Sequence, residues 1–128
     1  MKILCFFGVL MLKACEAPDV QHYFKINNNA NHWISYYVDE SYPDTVIKLT
    51  KPTIKTVPPN SSFKESDWGT WGERFDNIEG NKISVYVIHT DTLNKYTWEK
   101  VRDDYMILKR YDLSLDDLKE SDFTITYP

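Results

Sequence analysis

The chain has 128 residues, and its 19 acidic and 15 basic side chains give a formal net charge of −4. This length corresponds to one domain that can bury a core without disulfide or metal staples. The acidic balance, with no cluster of Lys or Arg, excludes a typical nucleic-acid-binding protein, which carries a basic face, and we predict no nucleic-acid partner.

The start of the chain has the layout of an export signal. Lys2 is followed by an uncharged, mostly apolar run at residues 3–12. This run is too short for a membrane-spanning helix, which needs about 20 residues. A positive start, a short apolar segment and a small residue before a cleavage point are typical of a secretory signal.

The segment "LKAC" that follows is similar to a bacterial lipobox, in which a lipid is attached to the cysteine. Leu stands three positions before Cys15 and Ala directly before it, while Lys13 departs from the usual small or apolar residue. We predict a lipoprotein signal peptide at residues 1–14, acylation of Cys15 (palmitate, for example) and a lipidated tether at residues 15–19. The alternative is a cytosolic domain that buries this segment and its cysteine as core.

The remaining cysteine, Cys5, lies in the segment that cleavage would remove. The mature chain would then contain one cysteine, Cys15, which carries the lipid and forms no disulfide. Glu16 follows it, where an Asp often retains lipoproteins at the inner membrane of other bacteria. We therefore expect a cell-envelope protein anchored at the outer membrane.

The rest of the chain predicts a β-rich domain. Residues 20–26 alternate between apolar and polar side chains, residues 27–31 are an Asn-rich turn and residues 32–39 alternate again, which together indicate a β-hairpin. The run at residues 82–89 is apolar on both faces and is therefore predicted to be a central strand. Further strands are predicted at residues 45–49, 53–57, 62–66, 106–112 and 123–127.

Three short helices are indicated by capping residues. Ser66 or Asp67 is a candidate N-cap for a helical turn, Thr97 for a second helix, and Ser114 with Asp117 three residues later is a variant of the capping box. The sequence thus predicts a mainly β domain with short helices (α+β), an antiparallel, sandwich-like single domain at residues 20–128.

The last quarter of the chain carries a more specific pattern. The run "LKRYDLSLDDL" followed by "TITYP" resembles the C-terminal signature of a family of small uncharacterised lipoproteins of Bacteroidetes-type bacteria, and "YPDT" at residues 42–45 and "DTL" at residues 91–93 extend the likeness. The resemblance implies export and lipid anchoring. It implies no activity and no catalytic residues.

The residue types that carry chemistry are sparse. His22 and His32 face one another if the first hairpin forms, but no third ligand at a metal-binding spacing accompanies them. His89 and Asp91 would support a small envelope hydrolase only if they met the other histidines in one pocket. We predict no cofactor, no metal site and no catalytic residues.

Five aromatic residues are candidates for ligand contact. In the predicted hairpin Tyr23, Trp33 and Tyr37 share one face, while Trp68 and Trp71 lie in a loop-like segment. Exposed rings can stack on sugars. The alternative, and the commoner role of such residues, is that a second sheet or a helix buries them as core.

These observations favour an exported, lipid-anchored envelope protein that is not an enzyme and acts as a binding or structural module. Its expected partners are the membrane, through the lipid, and an unknown protein or glycan. A carbohydrate- or peptide-binding accessory protein that uses the aromatic residues is the alternative within binding, and a small hydrolase is the alternative of another class.

Overall fold

The computed structural model describes residues 21–128, which form seven strands and four short helices. The predicted signal peptide, Cys15 and the tether at residues 15–19 lie outside the described residues. The elements are β1 (Gln21–Asn28), β2 (Ile34–Asp39), β3 (Lys55–Val57), β4 (Ser61–Trp68), α1 (Trp71–Asp76), β5 (Ile83–His89), α2 (Thr90–Lys95), α3 (Trp98–Asp103), β6 (Lys109–Leu113), α4 (Leu115–Glu120) and β7 (Thr124–Tyr127).

The strands form two sheets that pack against each other. One has the order β4-β1-β7, with β1 antiparallel to β4 and parallel to β7. The other has the order β3-β2-β5-β6 and is antiparallel throughout. The predicted fold class, a mainly β, sandwich-like domain with short helices, is confirmed.

The main core lies between the two sheets. Along β1, Phe24 and Ile26 point into it while Tyr23 and Lys25 face solvent, which is the alternation expected of a half-buried strand. The other buried members of this core come from β2, β3, β5, β7, α1 and α4: Ile34, Tyr36, Val57, Trp71, Phe75, Ile83, Val85, Val87, Leu118 and Ile125.

The four-stranded sheet is covered on its other face as well. Tyr37 of β2 and Tyr86 and Ile88 of β5 form a second core with Ile47 from the connection between β2 and β3. Partly buried side chains of α2 and α3 pack against this cluster. The predicted central position of residues 82–89 is therefore confirmed, because β5 is buried on both faces between β2 and β6.

The predicted hairpin between the first two strands is wrong, because β1 and β2 belong to different sheets. Asn28, which is 0% exposed, explains why the chain passes from one sheet to the other after β1. Its amide donates to the carbonyls of His32, Val57 and Pro58 at 2.8, 3.1 and 3.0 Å, and its Oδ1 accepts from the backbone N–H of Ala30 at 2.9 Å. The amide thus fixes the turn after β1 to the turn after β3, and β4 becomes the antiparallel neighbour of β1.

The capping residues at helix ends are predicted more accurately than the pairing of the first two strands. Thr97 caps α3, and Ser114 and Asp117 form both hydrogen bonds of a capping box on α4. The first helix is capped by Thr70, since the predicted caps Ser66 and Asp67 lie within β4.

The strand predicted at residues 45–49 is absent from the described chain, which has an irregular connection there. Side chains rather than a neighbouring strand donate hydrogen bonds to two of its carbonyls. The Tyr86 hydroxyl donates to the Thr45 carbonyl at 2.8 Å, and the Trp98 indole N–H donates to the Lys48 carbonyl at 2.8 Å.

Candidate functional site

The five candidate aromatic residues do not share one surface. Tyr23, Trp33 and Trp68 are 47%, 49% and 68% exposed, whereas Tyr37 and Trp71 are 2% and 8% exposed. A ring buried to this extent cannot stack on a ligand, so Tyr37 and Trp71 are corrected to core residues.

Tyr37 and Trp71 each have a clear packing role. The Tyr37 ring stacks on that of Tyr86 with centroids 4.7 Å apart, and burial raises the pKa of Tyr37 above its ordinary value. Trp71 stacks on Phe123 with centroids 5.8 Å apart, and its indole N–H donates to the Tyr23 carbonyl at 3.0 Å. Both residues therefore hold elements together rather than present a surface.

Trp33 is exposed but stands apart from the other two. It directly precedes β2, in the four-stranded sheet, and its carbonyl accepts from the backbone N–H of Thr90 at 3.3 Å. Tyr23 and Trp68 lie on β1 and β4 of the three-stranded sheet. These two rings alone share a sheet face.

We call the outward side of the β4-β1-β7 sheet the aromatic–lysine face. The inward side chains of β1 are buried, but no described element covers the outward side of the sheet, and the residues there are exposed or half-buried. By the strand register its described outward side chains are Tyr23, Lys25, Asn27, Ser62, Lys64, Ser66, Trp68, Thr124 and Thr126.

Cross-strand pairs organise this face into rows. Ser62, Asn27 and Thr126 form one row, in which the Ser62 hydroxyl donates to Asn27 Oδ1 at 2.6 Å and Asn27 Nδ2 donates to Thr126 Oγ1 at 3.4 Å. Lys64 and Lys25 form the next row, directly opposite each other. The polar row is therefore internally hydrogen-bonded, and the charged row is not.

The rings of Tyr23 and Trp68 lie on the opposite side of the lysine row from the polar row. Tyr23 lies opposite Ser66, and Trp68 is its diagonal neighbour on β4. The ammonium of Lys64 lies 4.0 Å from the centroid of the Tyr23 ring, within the range of a cation–π contact. The face thus presents rings, ammonium groups and hydroxyls, and its described side chains include no carboxylate.

A polar cleft of about 500 Å³ adjoins the face at Trp68. His22, 6% exposed, lies at its base, with Nδ1 3.2 Å from the Gly69 carbonyl and Nε2 3.3 Å from Nη1 of Arg74. These contacts fit the tautomer whose Nδ1 donates and whose Nε2 accepts. The cleft is lined by His22, Glu40, Asp67, Trp68, Thr70, Glu73, Arg74 and Asn77.

The charged groups of the cleft already have partners. Arg74 forms an ion pair with Glu40, Glu73 accepts from the backbone N–H of Thr70 at 2.9 Å, and Asp67 accepts from that of Trp68 at 2.8 Å. Each carboxylate therefore has a structural role, and the cleft offers polar groups beside the face rather than a free charged pair.

The histidines do not form one site. His22 lies near the start of β1, whereas His32 follows the other end of that strand and stacks on His89 with centroids 4.1 Å apart and an interplanar angle of 4°. The lone pairs of parallel stacked rings lie in separate planes and do not converge on one metal ion. No described group of three or more His, Cys, Asp or Glu residues is arranged to hold a metal.

His89 has a local role at the start of α2. Its Nδ1 accepts from the backbone N–H of Asp91 at 3.2 Å, which makes it the N-cap of this helix. A catalytic pair would require a contact between His89 and the carboxylate of Asp91. The contact in this structure is with the backbone of Asp91.

Sequence reasoning missed Lys25 and Lys64 as site residues. A strand is predicted at residues 62–66, which include Lys64, but only the register of β4 on β1 places the two lysines together. No family model, curated protein or solved structure matches the chain. Within residues 21–128, no helix is both long and apolar enough to span a membrane.

Proposed function

We propose that the protein is an exported, lipid-anchored binding module of the cell envelope, without enzymatic activity, which holds a glycan on the aromatic–lysine face. The observation that carries the ligand assignment is that Tyr23 and Trp68 are diagonal neighbours on a sheet face that no described element covers. Flat exposed rings beside hydroxyl and amide groups provide both the stacking and the hydrogen bonds that a sugar needs.

The anchoring part of the proposal is supported by the sequence. The signal pattern at residues 1–14 and the lipobox-like "LKAC" predict acylation of Cys15, and Glu16 favours the outer membrane. The resemblance of the C-terminal segment to Bacteroidetes-type lipoproteins implies the same location. Membrane attachment would then depend on the acyl chains, since the domain is acidic as a whole.

The anchoring part is tested by the intact mass of the protein purified from its native membrane fraction. We expect a mass that corresponds to residues 15–128 plus acyl chains, and loss of the acyl mass in Cys15→Ser. An unmodified full-length mass in the soluble fraction would contradict export and anchoring.

The binding part is tested by electrophoresis of the protein through gels that contain soluble polysaccharides. Trp68→Ala and Tyr23→Ala are expected to abolish retardation by any polysaccharide that retards the wild type. Trp33→Ala is the matched control, because it removes a ring about as exposed as that of Tyr23 from outside this face. Equal loss in all three variants, or none in any, would contradict a ligand site on this face.

A further inference from the structure

The aromatic–lysine face contains a pair of like charges that the fold does not require. Lys25 and Lys64 are direct cross-strand partners of the antiparallel β1–β4 pair, a position in which Cβ atoms lie about 4.5–5.5 Å apart and like charges destabilise the sheet. Neither ammonium forms an ion pair with a residue that the structure describes.

This pairing contrasts with the charge distribution elsewhere. The protein has more acidic than basic side chains, and six described ion pairs neutralise lysines and arginines on other surfaces. The described side chains of the face nevertheless include two lysines and no carboxylate. The face is therefore a positive patch on an acidic domain, which favours an anionic ligand by charge complementarity.

We infer that the ligand of this face is an acidic polysaccharide whose carboxylate or sulfate groups bind between Lys25 and Lys64 while its sugar rings pack on Tyr23 and Trp68. This inference rests on the proposed function and adds the charge class of the ligand. The ammonium of Lys64 lies 4.0 Å from the centroid of the Tyr23 ring, so one of these charges and one of these rings are already close together on the face.

The composition of the face favours a polysaccharide over a lipid headgroup. Hydroxyl and amide side chains occupy the remaining described positions, and none of these positions carries an aliphatic side chain that could enter the acyl region. A bilayer is the competing occupant, because Trp68 pairs with Gln21 and the six residue-to-residue steps from Cys15 to Gln21 span at most about 22 Å.

The test is electrophoresis of the protein purified from its membrane fraction, in non-ionic detergent, through gels that contain matched polymers. Polygalacturonate is compared with its methyl ester, and dextran sulfate with dextran, so that the two members of each pair share a sugar backbone and only one carries the anionic groups. We expect retardation by the polyanions that weakens as salt is added, and little retardation by the neutral polymers. Lys25→Gln with Lys64→Gln is expected to raise the Kd for the polyanion about tenfold, equivalent to about 1.4 kcal/mol.

Two further variants separate a binding role from a structural one. Lys51→Gln removes one positive charge from the connection between β2 and β3, leaves both lysines of the face in place and is expected to bind as the wild type does. Lys25→Glu creates an opposite-charge pair with Lys64, so we expect it to raise the melting temperature while it abolishes binding of the polyanion. A variant that is more stable and no longer binds cannot have lost binding through misfolding.

Three results would contradict the inference, and each has a different meaning. Trp68-dependent retardation by dextran or the methyl ester equal to that by the polyanions would overturn the inference and leave the proposed function standing. Retardation by none of the four polymers would count against both. Trp68-dependent binding to phosphatidylcholine–phosphatidylglycerol vesicles, without retardation by the polyanions, would overturn the inference in favour of a membrane contact.

Discussion

The phenol of Tyr36 donates a hydrogen bond of 2.6 Å to the carboxylate of Glu65, and this bond joins the two sheets of the domain. Tyr36 belongs to β2 of the four-stranded sheet and Glu65 to β4, the edge of the other sheet. Burial and the neighbouring carboxylate raise the pKa of Tyr36 above its ordinary value, so the phenol is the donor throughout the physiological range. Lys55 lies 3.7 Å from the same carboxylate oxygen and provides its counter-charge.

Tyr36→Phe should lower the free energy of unfolding by about 1.5–3 kcal/mol, because it removes a hydrogen bond to a charged, partly buried acceptor. Urea denaturation followed by fluorescence measures the loss. Tyr111→Phe is the matched control. It removes a hydrogen bond of 2.9 Å to the Thr126 carbonyl, a neutral acceptor, and should cost about 1 kcal/mol or less. Equal losses in the two variants would mean that the charge of Glu65 does not strengthen its hydrogen bond with Tyr36.

Asn28→Ala should be among the most destabilising single substitutions in the domain. It deprives three backbone carbonyls, from two separate turns, of their amide donor in a fully buried position. We expect a loss of more than about 2 kcal/mol in the unfolding free energy. Asn27→Ala, one residue earlier on the solvent side of β1, should cost much less, and comparable losses would contradict the role given to the buried amide.

The sequence predicts those elements whose signals are local. The apolar run at residues 82–89 and the capping residues Thr97 and Ser114 determine their structures through near neighbours, and all three predictions are confirmed. The partner of β1 was not predictable in this way. The pairing of β1 depends on hydrogen bonds from the buried Asn28 amide to the carbonyls of Val57 and Pro58, which lie about 30 positions along the chain.

The aromatic–lysine face was only partly predictable for the same reason. Alternation along β1 places Tyr23 and Lys25 outward, and that much follows from the sequence. Which charge or ring lies beside them depends on the register with β4, and only this register brings Lys64 opposite Lys25. Alternation within one strand likewise does not reveal that the second core buries Tyr37.

Two glycines should respond to alanine in opposite directions. A Cβ on Gly80 would lie 1.8 Å from the backbone carbonyl oxygen of Tyr42, so the turn before β5 would have to move, and we expect Gly80→Ala to cost at least about 2 kcal/mol. In α1 a Cβ on Gly72 would approach nothing closer than 3.7 Å. Gly72→Ala should therefore stabilise the domain by about 0.5–1 kcal/mol. Thermal unfolding of both variants tests the pair, and stabilisation by Gly80→Ala would show that the contact with Tyr42 does not constrain this turn.

The capping box of α4 predicts a pH-dependent contribution to stability. The backbone N–H of Ser114 donates to Asp117 at 2.9 Å, and this bond, with the Ser114 hydroxyl, holds the pKa of Asp117 below its ordinary value of 3.8. Because the pKa is lower in the folded chain than in the unfolded chain, the ionised carboxylate stabilises the fold above about pH 4. This contribution is lost as the pH falls through the folded-state pKa.

Asp117→Asn should therefore melt at a lower temperature than the wild type at neutral pH, and the gap should narrow as the pH is lowered below about 4. Melting temperatures measured across this range test the prediction. Asp116→Asn is the control at neutral pH, since it removes the same charge from the same helical turn without removing the capping-box bond, and it should lower the melting temperature less. A gap for Asp117→Asn that stays constant down to the acid limit of folding would show that the capping bond does not depend on the charge of the carboxylate.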